Sequence, residues 1–548
     1  MQRFLILLFV AFSYNLSAQI QEKSTPYTIE YQLPTNDIPT LRYVAPNLVQ
    51  LEMEDLINDI EKGRQRIATL LPFDFDFFKN AQKTSLNNGK SIFRVKVEIK
   101  QAEALGFFFQ SFELATNDKF FIFNENGNEI QGAFTSISNS KNFGTALISG
   151  ENIILEYVTN HTEPKAKIRF KELSYAYRMT GKSRKRDFGD SGSCHVNANC
   201  SEGNNWANQK KSVVRILVKD GSSQFWCSGA LINNERQDCT PYLLTAEHCG
   251  VTASVSDISQ WIFYFNYQAS ACNNPPSQGS LANTFLTGAI KRAQSNDSGG
   301  DTGSDFMLLE LTSAIPDNYN PYFAGWDRQN TPATSGVSIH HPQGDIKKIS
   351  TYNTTLANTS FGGITPNTHW GVSWAASTNG HGVTESGSSG SPIFDQNKRI
   401  VGTLTGGASF CSTPGGQDEY GKMSYHWTSN GSTSANQLKP WLDPDNTGIT
   451  QLNGVAQPCN TSTSQISNHI YLNIFPNPAT NYLNIEWKNE KNISADIRIL
   501  NIIGQEVATY FNINNGEKIS LERLQNGVYF IEMTINNQRI IQKFVVSQ

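Results

Sequence analysis

The stretch YLLTAEHCG at 242–250 decides the reading of this chain, together with SDFMLLEL at 304–311 and GSSGSP at 387–392. Each puts one reactive residue type next to a strand-like run or a glycine turn: His248, Asp305 and Ser389. A serine hydroxyl is a weak nucleophile until a base takes its proton, and a histidine of ordinary basicity does so at neutral pH. A carboxylate must then hold the imidazole in one tautomer and stabilise the imidazolium, which is the part Asp305 fits. The glycines of GSSGSP predict a sharp turn that aims the N–H groups of Gly387 and Ser389 at one oxyanion. Taken singly, each segment is ordinary: a flexible turn, a histidine beside a structural cysteine, a strand start. Their conjunction in this order reads as a serine peptidase charge relay.

The order His, Asp, Ser along the chain is that of the chymotrypsin fold, whereas α/β-hydrolases run Ser, Asp, His and subtilisins Asp, His, Ser. An all-β, chymotrypsin-like double β-barrel is therefore expected. Short apolar runs separated by Gly, Asn and Ser turns agree with it: VVRILVKD, FWCSGALI, YLLTA, WIFYFNYQ, FMLLEL, GVSIHH, HWGVSW, SPIFD and RIVGTL. QLKPWLD at 437–443 is expected to form a short terminal helix.

Residues from about 189 to 458 resemble the secreted lysyl endopeptidases, a bacterial branch of the chymotrypsin-like serine peptidases. The resemblance is carried by SGSC at 191–194, CSGALINN from Cys227, YLLTAEHCG, FNYQASAC at 265–272, SDFMLLEL, FAGWDR at 323–328, SIHHPQG from Ser338, GVTESGSSGSPIF at 382–394 and DEYGK at 418–422. It implies cleavage on the carboxyl side of lysine. Trypsin keeps its specificity carboxylate six residues before the nucleophile, where this chain has Val383; the family pattern supplies the acid at Asp418, with Glu419 alongside. A buried ammonium requires such a paired charge. The plain alternative for Asp418 is an acidic turn after Gly415-Gly416. The resemblance also implies that Trp374 packs on the catalytic histidine, and it marks Thr405 as a departure, because the relatives carry a histidine there. Ser388 occupies the place of the trypsin aspartate that pairs with a newly freed N-terminus, so activation by that ion pair is not expected.

All eight cysteines lie between 194 and 459. Their confinement to one region of an exported chain predicts disulfides. The resemblance implies Cys194 with Cys411, Cys200 with Cys272 and Cys227 with Cys249. Cys239 and Cys459 are left as partners for each other. No C-x-x-C or H-x-x-x-H pair offers a metal site, and adjacent strand residues His340 and His341 point to opposite faces, so neither metal nor cofactor is expected.

The 548 residues exceed one domain, and a formal net charge of −4 argues against nucleic acid or a membrane surface as partner. Residues 1–18 read as a secretory signal peptide, with FLILLFVAF followed by Ser17-Ala18; no later run suggests a membrane span. Residues 19–186 contain no cysteine and end in KSRKR at 182–186, which reads as a mixed α/β propeptide with a basic cutting site; helix-like spacing covers 48–70. The peptidase is assigned to 187–458 and a Ser/Thr/Asn linker to 459–470. Within 471–548, IFPNPATNYLNI, ILNIIGQEV at 499–507 and LQNGVYFIEM at 524–533 resemble the C-terminal sorting domain of the type IX secretion system of Bacteroidetes. That implies a small β-sandwich, the secretion machinery as partner, and release from or display on the outer surface of a Gram-negative cell. Protein or peptide substrates are the other expected partners. The rival readings are the same fold with arginine or mixed specificity, and a non-catalytic surface adhesin.

Overall fold

A computed structural model describes residues 24–62, 64–139, 143–178, 191–275, 284–459, 471–488, 494–502, 505–535 and 538–547. The expected signal peptide, the basic cutting site at 182–186 and nearly all of the linker lie outside the described residues. The chain divides into one unit up to Cys459 and a second from Asn460.

The N-terminal segment of the first unit includes helix α1 (Leu48–Lys62) and strands β1 (Arg66–Asp76), β2 (Ala104–Glu113) and β3 (Lys167–Ala176). The helix-like spacing of 48–70 thus ends early: from Arg66 the chain is extended, because β1 pairs with β3 on one side and with the peptidase on the other. Tertiary pairing overrides the local pattern there. A second sheet of this segment includes Ser91–Ile99, Lys119–Asn124, Ile130–Phe134 and Asn152–Thr159.

Seven strand segments form the first barrel of the peptidase. They are β4 (Val213–Asp220), β5 (Ser223–Leu231), β6 (Tyr242–Thr245), β7 (Ile262–Phe265), the consecutive β8 (Thr284–Thr287) and β9 (Ala289–Gln294), and β10 (Met307–Leu311). Antiparallel ladders run β4–β5, β5–β6, β6–β10, β10–β9, β8–β7 and β7–β4, and the chain passes from β8 through Gly288 into β9, which closes the ring. Val214, Ile216 and Val218 alternate along β4 toward an interior shared with Leu243, Trp261, Phe263, Leu286, Met307 and Leu309. Side-chain alternation sends Leu217 the other way. It joins Trp226, Ile262, Tyr264 and Phe285 in a core built mainly from the N-terminal segment, including Phe73, Phe107, Phe109 and Phe170. Both faces of these strands are buried, which is why apolar residues in VVRILVKD fall on both parities, Ile216 and Val218 on one and Leu217 on the other, rather than strictly alternating with polar ones.

The N-terminal segment therefore does more than precede the peptidase. β1 adds to the edge of β5, with Thr69 opposite Ser223 and Ala68 opposite Gln224, so its sheet continues into the barrel wall. Arg64 bridges to Asp220 at 3.0 Å and donates to the Cys249 carbonyl.

The second barrel comprises β11 (Gly336–His340), β12 (Lys348–Tyr352), β13 (His369–Ser373), β14 (Pro392–Phe394), β15 (Ile400–Gly407) and β16 (Gln417–Lys422) in the order β12–β11–β14–β15–β16–β13. The Ala375 amide donates to the Thr351 carbonyl at 2.8 Å and joins the two ends. Tyr352, Trp370, Val372, Ile393, Leu404 and Tyr420 fill its interior. The expected terminal helix is a single turn, Lys439–Leu442.

Four disulfides tie this unit: Cys194–Cys411, Cys200–Cys272, Cys227–Cys249 and Cys239–Cys459. The last spans 220 residues and fastens the end of the unit to the loop before β6. In the chain-entropy description such a crosslink stabilises by about 5 kcal/mol. Replacing Cys239 and Cys459 by Ser is expected to lower the melting temperature while leaving turnover intact, since neither lies in the site described below. A thermal scan alongside a peptidase assay checks this, and unchanged melting would refute it.

The second unit is a small β-sandwich. One sheet holds Tyr471–Phe475, Tyr482–Lys488 and Glu517–Ser520, the other Ala495–Asn501, Glu506–Ile513, Gly527–Ile535 and Gln538–Val546. Leu483, Ile485, Ile497, Ile499, Ile531 and Phe544 are buried between them.

Candidate active site

His248 sits in the turn that follows β6, and Asp305 just before β10, the strand beside it. Their pairing is thus a product of barrel register. His248 Nδ1 lies 2.6 Å from Asp305 Oδ2, and the His248 amide donates to Oδ1 at 2.8 Å. Both carboxylate oxygens are engaged, and Asp305 is wholly buried at a left-handed φ of 53°. A proton on Nδ1 facing the carboxylate leaves Nε2 free to act as a base. The His248 side chain is 19% exposed, whereas Asp305 is fully buried.

Ser389 is the one partly exposed residue between Gly387 and Asp395, where its neighbours are all buried. The turn carrying it is set by two glycines at positive φ, 90° at Gly387 and 78° at Gly390. A Cβ on Gly390 would stand 2.1 Å from Thr245 Oγ1, so only glycine lets this turn approach the segment bearing His248. The Ser389 carbonyl accepts from the Ser228 amide at 2.8 Å and anchors the turn on the first barrel. Among the described residues neither the Gly387 nor the Ser389 amide donates to a protein acceptor, whereas the Ser388 amide between them donates to Glu385. Two unpaired donors thus stand beside the hydroxyl, as an oxyanion site requires. The Ser389 hydroxyl has no hydrogen-bond partner among the described residues, a common state of such sites without substrate.

Asp418 lies on β16, wholly buried. Its Oδ2 accepts from Trp374 Nε1 at 2.7 Å, Thr384 Oγ1 at 2.7 Å and Ser409 Oγ at 2.5 Å, and its Oδ1 from the Ser409 amide at 3.1 Å. Burial pushes its pKa up, against the pull of these bonds. An incoming cation would favour the ionised form and oppose that push. Glu419 projects to the other face of the strand, and burial, with Asp418 adding to it, pushes it up to about 7. Val383 is buried in the apolar core of the second barrel. Trp374 bonds to Asp418 and packs edge-on to Tyr420, and among the described residues no ring contact joins it to His248. A histidine does stand beside the Thr405 departure: His369 Nε2 is 3.0 Å from Thr405 Oγ1, and burial depresses its pKa to about 4.

Ser388 is buried and bonded to His340 Nδ1 at 2.7 Å, with no carboxylate in its place. Glu385 receives the Gly192 amide and lies 3.4 Å from His195. Sequence reasoning missed Thr384 and Ser409, and it named His340 and Glu385 without their contacts to Ser388 and Gly192, because single side chains at long separation carry no spacing signal. His195, Glu385 and Cys411 are the one trio among the described residues close enough for a metal, but the Cys411 sulfur is committed to a disulfide.

Residues 188–421 match the family model described as the lysyl endopeptidase C-terminal domain, and residues 473–547 that of a secretion system C-terminal sorting domain. A lysyl endopeptidase of Pseudomonas aeruginosa is 29% identical over 308 residues, which cover 53% of this chain and 63% of that protein. A secreted RxLR effector protein of Plasmopara viticola is 27% identical over 296 residues, covering 51% of this chain and 65% of its own length. The chain thus spans less than two thirds of these relatives. Among solved structures, the protease Anisep from Arthrobacter nicotinovorans is similar at 15% identity and a TM-score of 0.28, covering 39% of this chain and 90% of that one.

Proposed function

We propose that this chain, in which residues 188–421 form a domain of the lysyl endopeptidase family and residues 473–547 a sorting domain of a secreted or cell-surface protein, is a serine endopeptidase that cuts after lysine. The observation that carries the reading is the bonded His248–Asp305 pair together with a partly exposed Ser389 whose own amide and that of Gly387 are unpaired among the described residues.

Ser389 Oγ attacks the scissile carbonyl as His248 Nε2 takes its proton, and the resulting imidazolium is stabilised by Asp305. The negative oxygen of the tetrahedral intermediate receives the Gly387 and Ser389 N–H groups, each such donor lowering the barrier by about 3–4 kcal/mol. His248 returns the proton to the leaving amine, which departs and leaves an ester on Ser389. Water repeats the sequence: its oxygen adds to the ester carbonyl carbon as His248 takes its proton, and the second tetrahedral intermediate collapses by breaking the C–O bond to Ser389, whose oxygen regains the proton from His248 as the acid product leaves. The lysine side chain on the acyl side of the cut points its ammonium at Asp418.

Processing fits the same reading. A cut at 182–186 gives a mature start between Asp187 and Asp190, and the sorting domain engages the secretion machinery before it is removed or anchored. Protein purified from culture should label with a fluorophosphonate and digest a denatured protein into fragments ending in lysine. Mass spectrometry of the same sample should find the new N-terminus. Fragments ending equally in arginine would establish mixed specificity, and absence of both labelling and cleavage would leave a binding protein.

A further inference from the structure

Behind Asp305 lies a second acidic group that the mechanism above does not use. Glu247, directly before His248, and Asp297 are both buried. Asp297 Oδ2 accepts the Asp305 amide at 2.9 Å, and its Oδ1 accepts the Gly299 and Gly300 amides at 3.2 and 3.0 Å. Asp297 is therefore what holds the left-handed backbone at Asp305 in place, a conformation that costs energy for a residue other than glycine.

Ser295 connects the two acids. Its Oγ lies 2.7 Å from Glu247 Oε2 and 2.9 Å from Asp297 Oδ1, while it accepts the Phe306 amide at 3.1 Å. A hydroxyl has one proton to donate. It can bond to only one of two ionised carboxylates, so the other contact requires a proton on a carboxyl group. A consistent arrangement has Glu247 protonated and donating to Ser295, and Ser295 donating to an ionised Asp297. The Asp297 amide also donates to Glu247 Oε2 at 2.9 Å, which keeps the two side chains together.

The geometry points to Glu247 and Asp297 as positioning residues that share one proton and hold Asp305, and through it His248, in register; losing that proton lowers turnover on the alkaline side. This inference rests on the peptidase reading. Burial, then Asp297, pushes the Glu247 pKa up to about 7; for Asp297 burial acts upward, but the bonds from Glu247, the Asp305 amide, Ser295 and Gly300 outweigh it and hold it low. The other titratable groups facing the pair are Asp305 and His248 from the same barrel, His369 on β13, and His426 in the helix Met423–Thr428. Burial depresses His369 to about 4 and His426 to about 3, so neither supplies a positive charge near neutrality. Lys422 turns its ammonium to Asn330 and Asn358. The sign follows from a raised pKa: the proton is present at low pH and is lost as pH rises, leaving two anions competing for one hydroxyl.

The test is the pH profile of kcat and KM on a lysyl peptide for the matured wild type, Glu247→Gln and Asp297→Asn. A glutamine side-chain amide donates at every pH, so Glu247→Gln should abolish the alkaline fall in kcat with KM unchanged. Asp297→Asn should lose about tenfold in kcat at all pH values, as befits one charge-assisted bond, and also flatten the limb. Infrared difference spectroscopy should show a protonated-carboxyl band in wild type that titrates and is absent from Glu247→Gln. An active, fluorophosphonate-labelled wild type whose alkaline limb survives in both variants overturns the inference, as does absence of the carboxyl band near neutrality. A wild type that neither labels nor cleaves counts instead against the peptidase reading, and the infrared measurement still decides whether the proton is shared.

Discussion

Ser389→Ala is expected to abolish peptidase activity and leave the melting temperature unchanged. The separation of the two effects comes from the way this residue is held. Its carbonyl accepts from Ser228, and the flanking glycines set the turn, so the backbone does not depend on the side chain. The hydroxyl itself has no partner among the described residues and sits at the only partly exposed position of its segment. Removing it deletes the nucleophile without leaving a buried group unpaired. Relay members act as a unit, so the loss should approach about 10⁶-fold, or roughly 8 kcal/mol of transition-state stabilisation. His248→Ala should match it closely. Asp305→Ala is a different experiment, because it removes the acceptor of the His248 amide as well as of its ring and should also destabilise the barrel. Retention of a tenth of wild-type rate by Ser389→Ala, measured with a lysyl substrate, would overturn the assignment of the nucleophile.

What the sequence made legible, and what it concealed, follows from the range over which each feature is encoded. The nine apolar runs named from the sequence all contain strands, because a run of apolar residues between turn formers is a local signal. The partner of a strand is not local. Leu217, Ile262 and Phe285 are as apolar as Ile216 and Phe263, yet they cover the N-terminal segment rather than the barrel interior. Nothing in their immediate neighbourhood distinguishes the two sides, so a continuous core appears in the sequence as two separate domains. The stretch after Lys62 shows the same limit: helix-like spacing continues into residues whose backbone is claimed by β3 and β5. In the candidate site, the residues flanked by glycine turns or strand starts could be proposed from short motifs. Those that support them could not. Asp297 stands in a loop rich in Asp, Ser and Gly that reads as solvated, and only the fold brings its carboxylate to the Asp305 amide. Trp374 illustrates the converse, since a resemblance identified the residue while its bond to Asp418 is legible only in the fold.

Asp418→Asn is expected to cost most on lysyl substrates and little on the chemical step. Among the described residues the carboxylate accepts from four donors and pairs with no cation, and burial already pushes it toward its neutral form. On the proposed reading, a lysine ammonium reaching Asp418 would supply a positive charge, so the gain on binding would come from relieving a buried anion without a counter-charge as well as from the new contact. An Asn retains one oxygen for the hydroxyl and indole donors but offers no charge, and its amide hydrogens face groups that are themselves donors. Truncating one partner of a buried charged pair typically costs about 2–5 kcal/mol, which predicts a fall of roughly 30- to 5,000-fold in kcat/KM for lysine. Fluorophosphonate labelling should persist, because Asp418 contacts neither Ser389 nor His248 through any hydrogen bond among the described residues. Glu419→Gln is the control: it sits on the opposite face of β16, so its loss should leave the lysine preference in place. If Asp418→Asn cleaves lysyl substrates as wild type does, the buried acid serves only to tie Ser409, Thr384 and Trp374 together. Its melting temperature should then fall while specificity stays, and Glu385 becomes the acid to examine for recognition of the substrate.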